Sequence, residues 1–310
     1  MSTKKKWLIT ILSIVGVLLI GIGAYAYSLY STVEKTVASM HKPIDREKSE
    51  KRTDAVEFKK QDPISVLLLG VDEREGDKGR SDTMIVLTVN PTKKSTQMVS
   101  IPRDTRTEII GKGKEDKINH AYAFGGPEMA IHTVENFLDI PIDYFIQVNM
   151  ESFRDIVNAV GGVTVENGFA FNYGGYTFDK GQLTLDGQEA LAYSRMRYED
   201  PNGDFGRQNR QRQIIKAVID KGASFSSLTK FDDILAVIGE NIRTNMTFDE
   251  MVDIQKNYKD ARFNLEQTQI KGSGTKIDGI YYYIVPDEER TALSTKLKKH
   301  LQISGNVTKR

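Results

Sequence analysis

The 310-residue chain contains no cysteine, one tryptophan and four histidines. Without cysteine it can form no disulfide, offers no thiolate nucleophile and builds none of the Cys-based zinc sites, although that alone leaves the compartment open. His41, His120, His132 and His300 are scattered and read as structural or exposed residues rather than a His-rich metal centre. An excess of one charge is missing too. Lys and Arg number 43 against 42 Asp and Glu, a net charge of +1, which excludes the global basic field of a non-specific nucleic-acid binder. There is no internal repeat, low-complexity tract, G-x-S-x-G, H-E-x-x-H or Walker-type loop. "DFG" at 204–206 lacks the rest of the kinase set, "SLTK" at 227–230 stands alone, and "GKGK" at 111–114 reads as a hairpin tip.

One long apolar run is present. Residues 7–30 carry no charge and follow Lys4, Lys5 and Lys6; the run is long enough to cross a bilayer as a helix. Trp7, Tyr25, Tyr27 and Tyr30 sit where interfacial aromatics belong. The expectation is a cytoplasmic tail over 1–6, a signal anchor over 7–30, and everything beyond it outside the cell membrane as a single-pass type II protein. Cleavage at "GAYAYS" is the alternative. Residues 31–61 are polar without an apolar period and read as a stalk or linker, leaving 62–305 as the folded domain.

Within that domain, 64–71, 82–90 and 96–101 read as strands, and the short connections between them predict an antiparallel meander. Asp72, Asp82 and Arg103 then fall at one end of the sheet. Helical spacing covers 126–140, 151–162, 186–195 and regions near 227–242, 247–258 and 286–301. Strands are expected at 144–150, 264–270 and 279–285. The class is α/β or α+β, with a central mixed sheet and helices on both faces.

Residues 193–215, "YSRMRYEDPNGDFGRQNRQRQII", hold five arginines and three acids. A helix beginning after Asp204, as its N-cap, places Arg207, Gln211, Ile215 and Val218 on one stripe, widened by Ile214 and Ile219. A stripe that opens with a guanidinium and an amide and continues apolar suggests a polar-mouthed cleft, and arginine forks suit phosphate. A structural ion-pair network explains the same arginines without a ligand. Asp72 and Asp82 beside Arg80 and Arg103 suggest a hard divalent cation next to phosphate; simple turn chemistry is the other reading. No nucleophile stands in a recognisable setting, so in-line displacement at phosphorus fits better than a covalent enzyme intermediate.

The segments "LLLGVDER", "GRSDTMIVLTVNP", "MVSIPRDT", "KINHAYAFGG", "VNMESFRDIVNAVGGVTV" and "LDGQEALAYSRMRYEDPNGDFGRQNRQRQII" together resemble the LytR–CpsA–Psr family, and within it the teichoic acid ligases of bacilli. The resemblance covers roughly residues 62–220. It implies a membrane-anchored phosphotransferase that moves a glycopolymer, such as wall teichoic acid, from an undecaprenyl-pyrophosphate carrier. The acceptor it implies is the 6-hydroxyl of N-acetylmuramic acid in peptidoglycan. It further implies Mg²⁺ (or Mn²⁺) on Asp72 and Asp82, and pyrophosphate on Arg80, Arg103, Arg195, Arg197 and Arg207 with Gln211 alongside. Asp72, Asp82 and Arg103 become the catalytic candidates, Asp204 matches a family acid, and an apolar tunnel for the polyprenyl tail is expected. The rival readings are a polyprenyl-pyrophosphate hydrolase and a non-catalytic lipid-carrier-binding regulator. Nucleic acid is not an expected partner.

Overall fold

The computed structural model describes residues 31, 34–72, 79–222 and 242–303. The expected tail and anchor, and nearly all of the helix expected near 227–242, lie outside these residues. Among the described residues, no helix is long and apolar enough to cross a membrane.

Strands β1 (Ile64–Val71), β2 (Ser81–Asn90) and β3 (Ser95–Ile101) form the expected meander. Both pairings are antiparallel, from Ile64↔Val89 to Val71↔Ser81 and from Met84↔Ile101 to Asn90↔Ser95. A hairpin of β4 (Arg106–Ile109) and β5 (Lys114–Lys117) follows, with Gly111 and Gly113 at positive φ in its turn. Helix α1 (His120–Leu138) begins six residues before the expected start. It breaks at Gly125 and Gly126, whose backbone is non-helical, and resumes at Pro127, a residue suited to a first helical turn. Then come β6 (Tyr144–Val148) and α2 (Met150–Ala159), capped by Asn149, whose side chain accepts from the Ser152 N–H.

Two small hairpins not anticipated from the sequence occupy 163–185: β7 (Val163–Asn167) pairs with β10 (Gly181–Leu185), and β8 (Phe171–Tyr173) with β9 (Tyr176–Phe178). Helix α3 (Gly187–Arg195) starts from a capping box between Asp186 and Glu189, and α4 spans Asp204–Gly222. The chain closes with β11 (Ile242–Thr244), α5 (Phe248–Asn257), β12 (Asn264–Gln269), a hairpin of β13 (Ser273–Ile277) and β14 (Ile280–Ile284), and α6 (Asp287–Leu301).

The main sheet has the order β11-β6-β1-β2-β3-β12. β6 lies parallel to β1 and β12 parallel to β3, so the sheet is mixed. The pleat sorts its side chains. Leu67, Leu69, Val71, Met84, Val86 and Val99 pack with Ile131, Val134 and Phe137 of α1 and Leu293 and Leu297 of α6. Val66, Leu68, Ile85 and Leu87 face the other way, towards Ile215 and Ile219 of α4 and Met251 and Ile254 of α5. A separate core joins α2, α3, α4 and the small hairpins around Phe171, Phe178 and Tyr193.

The segment read as a linker is packed on the domain where it is described. Met40 clusters with Ile242. Arg46 forks onto Glu135 at 2.7 and 3.0 Å, and Arg52 pairs with Asp143 in a buried ion pair. Polar anchoring of this kind has no apolar period to betray it.

Candidate phosphate-binding site

Two antiparallel pairings bring the end of β1, the start of β2 and the end of β3 to one edge. Asp72 follows β1, and its N–H donates to the Arg80 carbonyl at 3.3 Å. Asp82, in β2, accepts from Arg103 Nη1 at 2.7 Å. Arg103 also approaches Asp104 at 3.8 Å. Burial disfavours the Arg103 charge, but Asp82, Asp104 and Asp204 outweigh it and raise the pKa.

The first turn of α4 meets this edge. Asp204 lies inside that turn rather than capping it. Its Oδ1 stands 2.6 Å from Arg207 Nη2 and 4.0 Å from Arg197 Nε, and its Oδ2 accepts from Gln208 Nε2 at 2.9 Å. The close approach to Arg207 is an ion pair without hydrogen-bond alignment: Asp204 Oδ1 and Arg207 Nε are both buried with no hydrogen-bond partner among the described residues. Burial lowers the Arg207 pKa; Asp204 and Asp82 oppose this, while Arg103 and Arg197 add to it. A desolvated guanidinium crowded by two others and holding an unused donor favours an incoming anion.

Behind this mouth a cavity of about 340 Å³ runs between the sheet, α2 and α4. Asp72, Asp82, Arg195, Arg207 and Gln211 line its polar end; Leu68, Leu87, Ile146, Phe153, Ile156, Ile215, Val218 and Ile219 line the rest. The helical stripe expected from the sequence therefore faces one cavity along its length. Arg195 ends α3 with its side chain exposed, and Arg197 lies 5.7 Å from the Tyr198 ring. Arg80 is also exposed and does not line the cavity; only its backbone is tied to Asp72.

Some lining residues were not anticipated. Thr83, Asn149 and Ser194 border the cavity; Asn149 was legible only as a helix cap. Conversely, two of the five clustered arginines turn away. Arg210 is locked to Asp200 and to the Tyr193 and Met196 carbonyls, and Arg212 to Ser100 and Gln267.

Among the described residues no three His, Cys, Asp or Glu side chains form a metal cage. Mg²⁺ does not need one, because it binds through one or two carboxylates, water and substrate phosphate. Asp72 and Asp82 on one cavity wall fit that mode.

The LytR_cpsA_psr family model matches residues 27–299. The chain is 59% identical to the polyisoprenyl-teichoic acid–peptidoglycan teichoic acid transferase TagU of Bacillus licheniformis, over 96% of this chain and 97% of that protein. The crystal structure of Bacillus subtilis TagU superposes with a TM-score of 0.65 at 55% identity, covering 78% of this chain and 98% of that one. A structure of TagT bound to LI-WTA gives 0.73 at 32% identity, over 85% and 100% of the two chains. The arginine-lined edge, the cavity behind it and these likenesses together place the chain in the LytR–CpsA–Psr family.

Proposed function

We propose that the protein is a phosphotransferase that moves an anionic glycopolymer of the wall teichoic acid class from an undecaprenyl-pyrophosphate carrier to the 6-hydroxyl of N-acetylmuramic acid in peptidoglycan. The observation that carries this reading is Arg207: a desolvated guanidinium with a free Nε donor, at the polar end of an otherwise apolar cavity. A pyrophosphate joined to a polyprenyl tail has the same polarity. Its anionic end is held by Arg207, Arg103, Arg195 and Arg197, and its tail follows Ile215, Val218 and Ile219 inward, making the cavity the expected tunnel. The relatives named as teichoic acid–peptidoglycan transferases support the polymer and the acceptor.

In the reaction the sugar hydroxyl oxygen attacks the phosphorus nearer the glycan, and the bond from that phosphorus to the bridging oxygen breaks. A phosphodiester forms and undecaprenyl phosphate leaves. The arginines stabilise charge spread over the transferring phosphoryl oxygens, and a site carboxylate takes the hydroxyl proton. Asp204 positions Arg207. Asp72 and Asp82 would hold Mg²⁺, which when bound would supply charge neutralisation at the pyrophosphate. The anchor over 7–30 keeps the domain at the outer membrane surface, where both substrates lie.

A reconstituted assay with labelled donor and acceptor glycan tests this. Label should pass to the glycan with release of undecaprenyl phosphate, and Asp82→Asn should abolish most transfer while remaining folded. Release of label to water alone would instead identify a hydrolase.

A further inference from the structure

On the side of α4 away from the cleft lies a second cavity, of about 460 Å³. Helical phase separates the two: Arg207, Gln211 and Val218 face the cleft, while Asn209, Arg212 and Gln213 face the second cavity. Its lining differs in kind. Phe169 and Phe205 supply aromatic surface, Asn202 and Gln269 supply amides, and no aliphatic side chain is among its described walls. Asn202 and Phe205 bracket Asp204 in the chain, so the cavity reaches the turn that carries Asp204 and Arg207.

Arg212 is the unexplained group in this wall. It is 5% exposed. Its Nε donates to Gln267 Oε1 at 3.1 Å, Nη1 to Ser100 Oγ at 3.0 Å and Nη2 to Asn209 Oδ1 at 3.4 Å. All three acceptors are neutral, whereas a guanidinium has five N–H donors to satisfy. Burial lowers its pKa with no charged neighbour to offset the effect. Arg210, in the same wall, has Asp200 as its counter-ion. A buried cation left with neutral partners is costly, and a ligand anion relieves that cost.

Aromatic faces beside amides suit pyranose rings and their acetamido groups, with few placed polar contacts setting orientation. A donor polymer with a phosphate in every repeat calls for a row of cations. With Arg210 neutralised by Asp200, the wall carries one uncompensated guanidinium, Arg212, beside neutral amides, which instead suits a largely neutral amino-sugar chain with an isolated carboxylate. We propose, building on the transfer reaction above, that this cavity is the acceptor subsite. It binds an N-acetylated amino-sugar chain with a carboxylate on Arg212 and leads the acceptor to the phosphorus held at the first turn of α4.

The test uses the full chain in detergent with three tetrasaccharide acceptors of alternating N-acetylglucosamine and N-acetylmuramic acid. One carries free lactyl carboxylates, one lactyl carboxamides and one a short stem peptide, which assigns the carboxylate to sugar or peptide. Arg212→Gln should raise the KM for the preferred acceptor by about tenfold, keep kcat and the donor KM, and abolish the preference for carboxylate over carboxamide. Gly168→Trp is the second variant. Gly168 lines the same cavity, and a Cβ there meets nothing within 4 Å, so a side chain can be added at the cavity wall without a clash at its Cβ, and an indole there is expected to obstruct the cavity. It should raise the acceptor KM in the same way, and it decides the matter if Arg212→Gln fails to fold. An unchanged acceptor KM in the folded variants, or a rise in donor KM instead, overturns the proposal. If the wild-type protein transfers to no acceptor, the proposed reaction fails. Calorimetric binding of the tetrasaccharides, weakened by these variants or unaffected by them, then supports or overturns the subsite on its own.

Discussion

Arg207 and Arg210 stand one helical turn apart on α4, with side chains 11% and 5% exposed. Arg210 has a partner on every nitrogen and a buried counter-ion. It donates to the Tyr193 carbonyl at 3.0 Å, pairs with buried Asp200 and reaches the Met196 carbonyl, so it ties the 193–200 segment to the helix. Arg207 has Asp204 beside it and Asp82 nearby, two guanidiniums pressing on its charge and an Nε donor with no partner among the described residues. Burial therefore does not separate a structural cation from one proposed to bind a ligand. Between these two the separation lies in a buried counter-ion with every nitrogen partnered, against an Nε with no partner among the described residues. His300 shows a third solution: buried between Thr88 and Ser95 hydroxyls, it stays neutral, its pKa pushed down to about 4 chiefly by burial and also by Lys93.

The comparison breaks most easily at Arg210. Arg210→Ala strands the Asp200 carboxylate in the interior and should cost about 3–5 kcal/mol of stability, read from denaturant melts. Arg207→Ala should lose far less in the same melts, because folding desolvates that charge without satisfying it. Equal losses would erase the distinction. His300 is next. Its folded pKa lies below the ordinary 6.5, so the unfolded chain binds its proton first as pH falls. The stability is complete above pH 6.5 and drains away towards pH 4, by about 3 kcal/mol at 1.36 kcal/mol per unit. His300→Gln should flatten that limb of the pH–stability curve. A smaller effect belongs to the apolar end of the cleft. A folded Val218→Asp protein should lose the rate advantage of long-tailed over short-tailed donors, because a carboxylate then faces the proposed path of the tail. A retained advantage would show that the tail runs elsewhere.

Much of the site was legible because period and connection length are local properties. Apolar runs with short turns placed Asp72, Asp82 and Arg103 on one edge, and helical spacing placed Arg207, Gln211, Ile215 and Val218 along one cavity. The roles of the five arginines were not legible. Arg210 is structural only because the 196–203 loop returns Asp200 beneath it, a tertiary fact with no sequence period. Asp204 was read as a cap, yet its carboxylate sits against Arg207 instead. The hairpins β7–β10 were missed because their strands are three to five residues long, too short for a decisive pattern. The break at Gly125–Gly126 hid the first turns of α1. Arg46 and Arg52 bury the supposed linker through ion pairs rather than an apolar stripe.

The central claim is that Arg207 is an anion socket rather than a structural tie, and binding of inorganic pyrophosphate tests it without requiring turnover. With the full chain in detergent and Mg²⁺ present, Arg207→Ala should raise the Kd by about tenfold to a hundredfold, as expected for a lost charge-assisted contact, while its melting curve stays close to that of the wild type. An unchanged Kd, or a weakened Kd accompanied by the stability loss expected of Arg210→Ala, would contradict the account.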